Sequence, residues 1–199
     1  MNSKRLQEAF TYASDLHANQ KIKGTKAPYL SHLMGVAAIV LRYKGTEDET
    51  IAALLHDAVE DQGGPPTLEE IRKRFGDEVA RIVEGCTDAD SIPKPPWRER
   101  KERYIAHLRE ADASVRRVSA ADKLYNSRAI LTDYRVIGEA LWERFTGGKE
   151  GTLWYYRALA KTYREIGPPE LADEIGRVVS ELEELVRKRD AGKGELTDS

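Results

Sequence analysis

Cysteine is nearly absent. The single one, Cys86, can make neither an internal disulfide nor a thiolate zinc cage, which suits a reducing compartment. Long apolar runs are missing too. The longest, Val36 to Leu41, is far too short to span a bilayer, and no basic segment followed by an apolar one opens the chain as a secretory signal would. No charge sign dominates: a net charge of −2 and a pI near 6.2 disfavour general nucleic-acid binding. Alternating strand patterns, internal repeats and low-complexity tracts are also lacking. What is there is a 199-residue chain, 40% hydrophobic and 33% charged, with a mean hydropathy of −0.60. That is enough to bury one core and too apolar for wholesale disorder. A cytoplasmic globular domain is the expectation.

The near-neutral net charge is a cancellation. Residues 1–45 carry seven basic side chains against two acidic ones, and residues 46–93 carry four against thirteen. A basic lobe beside an acidic segment can hold a polyanion next to a carboxylate-bound metal, although solvated surface pairs produce the same pattern.

Periodicity predicts helices almost throughout. Leu6, Phe10, Ala13 and His17 mark one face of a first helix ending before Lys21, and Gly24 and Pro28 punctuate a loop. Ser31 is placed to cap a second helix running to about Tyr43, with Gly45 stopping it. A third is expected from about Asp48 to Gln62, ended by Gly63-Gly64-Pro65-Pro66. Thr67 to Glu70 reads as a capping box for a short helix through Arg74, and Asp77 as the cap of the next, through Gly85. After an extended connection at Pro93, Pro95 and Pro96, further helices are expected over about 97–111, 115–132, 136–145 and 152–166. A last helix opens at Pro168-Pro169, and a frayed tail follows from Ala191. The expected fold is an all-α bundle of eight to ten helices: one domain over 1–190 with its motif-bearing core at about 10–135, C-terminal helices at 136–190 and a flexible tail at 191–199.

The informative stretch is His56-Asp57-Ala-Val-Glu60-Asp61. On a continuous helix His56 stacks with Glu60 and Asp57 with Asp61, because residues four apart share a face. The preceding Ala52 to Leu55 make this a mostly buried helix, where so many ionisable groups are costly unless paired or bound to a cation. His32 upstream and Asp122, in the small-residue run Ser119-Ala-Ala-Asp122, complete a mixed nitrogen and oxygen set. Two imidazoles and two aspartates suit manganese, iron or zinc with open positions better than calcium or magnesium. Any one histidine beside an apolar run is more often a satisfied core group, so the set carries the inference. Glu60 and Asp61 are the candidates to orient a water or move its proton. Lys21 and Lys23, with Lys26 or Lys123, are the candidates to neutralise phosphate, and Asn126 to bond a sugar or phosphate oxygen. Tyr125, Tyr29 and Trp154 are candidates to stack a base. The run Arg98 to Arg103, mixed in sign, reads as a salt-bridged solvated face. Cys86 reads as a small buried residue, His17 as packing near the His-Asp helix, and His107 as surface.

These residues resemble the HD metal-dependent phosphohydrolase superfamily. The similarity is strongest to the hydrolase domain of RelA/SpoT-type enzymes and the stand-alone small alarmone hydrolases. It is carried by Ala27 to His32, Ala52 to Asp61, Glu70-Ile71 through Phe75-Gly76, Val83 to Thr87 and Ala121 to Asn126, over roughly residues 10–135. The resemblance implies an HD-domain helical bundle and His32, His56, Asp57 and Asp122 as ligands of one divalent metal, usually manganese. It implies Glu60 and Asp61 as the acidic catalytic pair, Lys21 and Lys23 as substrate contacts, and Asn126 near the nucleotide sugar. The implied reaction removes pyrophosphate from the 3′ position of guanosine tetra- or pentaphosphate. Leu33 stands where the family often has proline, and Ser119 where it usually has lysine. A broader nucleotide phosphatase and a non-catalytic nucleotide-sensing module are the rival readings, with a small-molecule nucleotide as the partner in each. Sequence sets no oligomeric state.

Overall fold

The computed structural model describes residues 3–87 and 95–197; Pro93 and the last two residues lie outside them. Among the described residues the chain is all-α: α1 Ser3–Leu16, α2 Leu30–Arg42, α3 Glu47–Leu55, α4 Ala58–Gln62, α5 Pro65–Phe75, α6 Asp77–Cys86, α7 Trp97–Glu110, α8 Ala113–Ile137, a 3-10 helix Gly138–Arg144, α9 Gly148–Ile166 and α10 Pro169–Thr197. The one extended pairing among them is an isolated antiparallel bridge, Lys21 to Pro28, closing the loop before α2. No helix of these residues is long and apolar enough to cross a membrane.

Helix α8 is the axis of the bundle. It packs against α2, α3 and α6 on one side and against α10 and the 3-10 helix on another. Its buried run Val118, Ser119, Ala120, Ala121 and Asp122 is small enough to let those neighbours come close. One apolar cluster runs from Ala9 and Ala13 of α1 to Val186 of α10, joining the motif-bearing helices to the C-terminal ones.

Several boundaries depart from the sequence reading, each for a local reason. The expected third helix parts at His56-Asp57 into α3 and α4. There the Ala53 carbonyl takes the His56 side chain at 2.8 Å, and Asp57 sits at φ −97°, ψ −2°. The capping box is at Thr46 and Glu49, where the Thr46 side chain accepts from the Glu49 amide and the Glu49 carboxylate from the Thr46 amide. Thr67 does not cap: α5 starts at Pro65, whose missing N–H costs nothing in a first turn, and Thr67 Oγ1 donates to the Gln62 carbonyl at 3.1 Å. Ser31 likewise donates to the Pro28 carbonyl at 2.7 Å, while Gly76 rather than Asp77 precedes α6. Helix α2 closes in a Schellman motif, with Lys44 in the left-handed region and the Gly45 amide on the Val40 carbonyl at 2.9 Å.

Helix α8 absorbs the start of the expected 136–145 helix, whose remainder is 3-10. Helix α10 runs from Pro169 to Thr197. Phe10 is 39% exposed, because Ala9 and Ala13 carry the inward face of α1 and admit α3 at close range.

Gly35 marks where α2 meets α8: a Cβ there would lie 2.1 Å from the Tyr125 ring. Tyr125 in turn stands edge-on to His32, with ring centroids 4.9 Å apart. Gly35→Ala is expected to destabilise the protein by about 1–3 kcal/mol through overpacking. Urea unfolding measures this, and a wild-type midpoint would refute the tight fit.

Candidate functional site

Three segments far apart in sequence bring four polar side chains to one place. His32 comes from the first turn of α2, His56 and Asp57 from the break between α3 and α4, and Asp122 from the middle of α8. The Nε2 atoms of His32 and His56 lie 3.3 Å apart. Asp57 Oδ2 lies 3.3 Å from the first and 3.0 Å from the second. Asp122 Oδ1 lies 3.4 and 3.6 Å from the same two atoms. His32, His56 and Asp122 are buried and Asp57 is half-buried.

Each is held from behind. His56 Nδ1 meets the Ala53 carbonyl, so it carries a proton and leaves Nε2 facing the cluster. The Tyr29 hydroxyl donates to Asp57 Oδ2 at 2.5 Å, and burial followed by Asp57 keeps that phenol protonated. Asn126 Nδ2 donates to Asp122 Oδ1 at 2.6 Å, and Lys123 pairs with the other oxygen. His32, His56 and Asp57 each offer a ligand atom, all within 4.8 Å of one another, an arrangement that could hold a divalent ion. The donor set and its second layer of hydrogen bonds fit such an ion.

Electrostatics agree with the geometry. Burial opposes charge on His56, but Asp57 and Asp122 outweigh it and raise the imidazole pKa. Burial likewise opposes charge on Asp57, yet His56 and His32 hold its carboxyl well below the ordinary range. Asp122 is lowered as well, against its burial, by Lys123 and then His56. Cys86, on the cavity wall, is pushed up by burial and stays a thiol.

The cluster opens onto a cavity of about 350 Å³. Of the expected site residues, His56, Asp57, Asp122, Glu60, Lys23 and Asn126 line it, while His32, packed against His56 and Tyr125, does not. Lys21 does not: it is exposed at the bridge to Pro28. Asp61 is also off the wall, accepting from Gln20 Nε2 at 2.8 Å. Gln20 is itself tied to Gln62 and to His17, and His17 stacks on Tyr29 at 5.3 Å between centroids. His17 therefore packs beside the cluster, as expected. Among the stacking candidates Tyr29 reaches the cavity, Tyr125 lies behind His32, and Trp154 is covered by the Arg98 guanidinium 3.2 Å from its ring centroid.

Sequence reasoning missed half of the wall. Arg98 and Glu102 pair along the exposed face of α7, as expected, but Arg100 and Lys101 turn into the cavity. Arg144, Thr152, Tyr155 and Tyr156 arrive from the C-terminal part of the chain. No spacing signal links these residues to the His-Asp motif. A legible hint was the pair of glycines at Gly147 and Gly151, which leaves room for the Trp97 ring.

The carboxylates of Asp57 and Asp122 favour the protonated form of His56, so its titration couples to stability in metal-free protein. His56 has a folded pKa above 6.5, so the stability it contributes is fully present below that pH and is lost as pH rises through the raised value. Asp57 and Asp122 act in the opposite sense, contributing above the ordinary carboxyl value of 3.8 and losing that contribution as pH falls through their lowered ones. Thermal melts of chelator-treated protein should therefore lose stability above about pH 6.5, and His56→Asn should flatten that slope. Identical slopes would refute the coupling.

A family model described as HD domain matches residues 9–143. A guanosine-3′,5′-bis(diphosphate) 3′-pyrophosphohydrolase of Danio rerio, MESH1, is 43% identical over 127 residues, which is 62% of this chain and 67% of that protein. A protein of the same description from Aquifex aeolicus is 35% identical over 195 residues, 94% of this chain but 24% of its own length. A solved structure described as a metazoan ortholog of SpoT that hydrolyses ppGpp superposes with a TM-score of 0.70 at 23% identity, covering 95% of this chain and 97% of that one. With the His-Asp cluster at the centre of the matched segment, the chain belongs to the HD-domain family.

Proposed function

We propose that the chain is a metal-dependent hydrolase that removes the 3′-pyrophosphate from guanosine tetra- or pentaphosphate. The observation that carries this reading is the convergence of His32, His56, Asp57 and Asp122 beside a cavity walled by Lys23, Arg100, Lys101 and Arg144. A highly phosphorylated ligand needs that many cations, and the sequence relatives bear the name of this activity. His32, His56, Asp57 and Asp122 would hold the ion, manganese on this reading, with iron and zinc as other ions of suitable chemistry. When bound, such an ion acidifies water and polarises a phosphoryl oxygen.

The remaining chemistry belongs to the chain. Glu60, on the cavity wall, orients the attacking water and accepts its proton. Asp61, held by Gln20, is the second member of the acidic pair. The water oxygen bonds to phosphorus, the bond from phosphorus to the ribose 3′ oxygen breaks, and a proton returns to that oxygen. Asn126 fixes Asp122 through its amide nitrogen, and its amide oxygen can take a sugar hydroxyl. A second cavity of about 280 Å³ adjoins the first, sharing Lys23, Asn126, Arg144 and Tyr156, and adds Ile22, Ala129, Ile130 and Leu141. Its apolar wall suits the nucleoside. The reaction belongs in the cytoplasm, where Cys86 stays reduced.

Purified protein with manganese and guanosine tetraphosphate should release pyrophosphate. Release of orthophosphate alone would favour a broader nucleotide phosphatase, and no turnover a binding module. Glu60→Gln should keep metal but lower kcat by about 10²–10⁴-fold; unchanged kinetics would refute its role. Asp122→Ala should lose both metal, by elemental analysis, and turnover.

A further inference from the structure

Thr152 lies beyond the segment matched by the family model, and its side chain is out of place as a structural group. It is 3% exposed, it lines the main cavity, and its hydroxyl has no hydrogen-bond partner among the described residues. Buried hydroxyls are ordinarily satisfied, so an unmatched one on a cavity wall points to an atom of the ligand. The groups around it say which kind. Trp97, Arg100 and Lys101 share one face of α7, at the three- and four-residue spacing of a helix, and all line the same cavity.

Glycines lock that face against the start of α9. A Cβ on Gly147 would lie 2.7 Å from the Trp97 ring, and one on Gly151 would lie 3.1 Å from it. Thr152 is the next residue, and Lys101 Nζ sits 5.0 Å from the centroid of Tyr155 one turn further on. One cavity thus carries a neutral hydroxyl together with a guanidinium and an ammonium, which is the chemistry of a phosphate site.

Two cavities meet at Asn126 and Arg144, and they differ in kind. The His-Asp cluster and the Arg100, Lys101 and Thr152 wall belong to one, whereas the apolar residues Ile22, Ala129, Ile130 and Leu141 belong to the other. With the nucleoside in the apolar cavity, the group leaving from the 3′ oxygen falls on the side of the His-Asp cluster. We infer that Thr152 donates its hydroxyl proton to a phosphate oxygen of the departing pyrophosphate, with Arg100 and Lys101 as its charged neighbours. Thr152 is thereby a binding residue that sets preference for a 3′-diphosphate over a 3′-monophosphate. This rests on the function proposed above.

The test compares Thr152→Val, which keeps the shape, with Thr152→Ser, which keeps the hydroxyl. Product inhibition of guanosine tetraphosphate hydrolysis should show the inhibition constant for pyrophosphate about tenfold or more higher in Thr152→Val and near wild type in Thr152→Ser, with that for guanosine 5′-diphosphate unchanged in both. The melting temperature of Thr152→Val should not fall, since no protein partner is lost. An unchanged pyrophosphate constant, or a rise for guanosine 5′-diphosphate instead, would overturn the assignment. Calorimetric titration of the metal-free protein with pyrophosphate reads the same residue without turnover: weaker binding by Thr152→Val supports the assignment, and equal affinity or no binding by wild type overturns it. Absence of turnover by wild type counts against the proposed function alone.

Discussion

Two imidazole nitrogens 3.3 Å apart, faced by two carboxylate oxygens at 3.0–3.6 Å and largely out of reach of water, are an arrangement that repels itself unless something positive sits between them. Protons can serve, which is why His56 is raised while Asp57 and Asp122 are lowered. A divalent ion could serve as well, since His32, His56 and Asp57 each offer it a ligand atom. The surrounding structure is arranged to hold that cluster still. The break between α3 and α4 lets the Ala53 carbonyl orient one ring, Tyr29 and Asn126 fix the two carboxylates, and Gly35 lets Tyr125 support the other ring.

The bundle places this cluster at a junction between halves of the chain. Small residues on α8 let α2, α3 and α6 close around Asp122 from one side, while α10 packs on another. Helix α9 then supplies the neutral wall residues Thr152, Tyr155 and Tyr156, and α7 the cations Arg100 and Lys101. Trp97 seated on Gly147 and Gly151 joins α7 to that wall, so the C-terminal helices complete the cavity besides extending the core. Ser119 fits the same pattern: between the hydroxyls of Tyr104 and Tyr163, at 2.6 and 2.5 Å, it lines the cavity as a neutral group.

Legibility followed the range of the interaction. His56, Asp57 and Glu60 were readable because ionisable residues directly after the apolar run Ala-Ala-Leu-Leu must be explained by something nearby. The helix break at the same place was not, since a histidine ring capturing the Ala53 carbonyl leaves no mark in hydrophobic periodicity. Thr46 and Thr67 carry nearly the same capping signature, Thr-x-x-Glu. Only Thr46 caps, because Pro65 starts α5 two residues early and turns Thr67 to the Gln62 carbonyl. Phe10 was read as core from its spacing, yet the two alanines on α1 allow a closer approach that leaves it outside.

By itself the sequence determined an all-α chain, the His-Asp cluster and the acidic residue beside it, since composition, periodicity and local motifs act over a few residues and survive without coordinates. The tertiary structure decided which cations reach the cavity. It chose Lys23 over Lys21, turned Arg100 and Lys101 inward from a face that looked solvated, and brought Arg144 and Thr152 from a region with no motif. The placing of Arg100, Lys101 and Thr152 goes with α7 and α9 locking through one indole and two glycines, a contact between residues some fifty positions apart that no local pattern encodes.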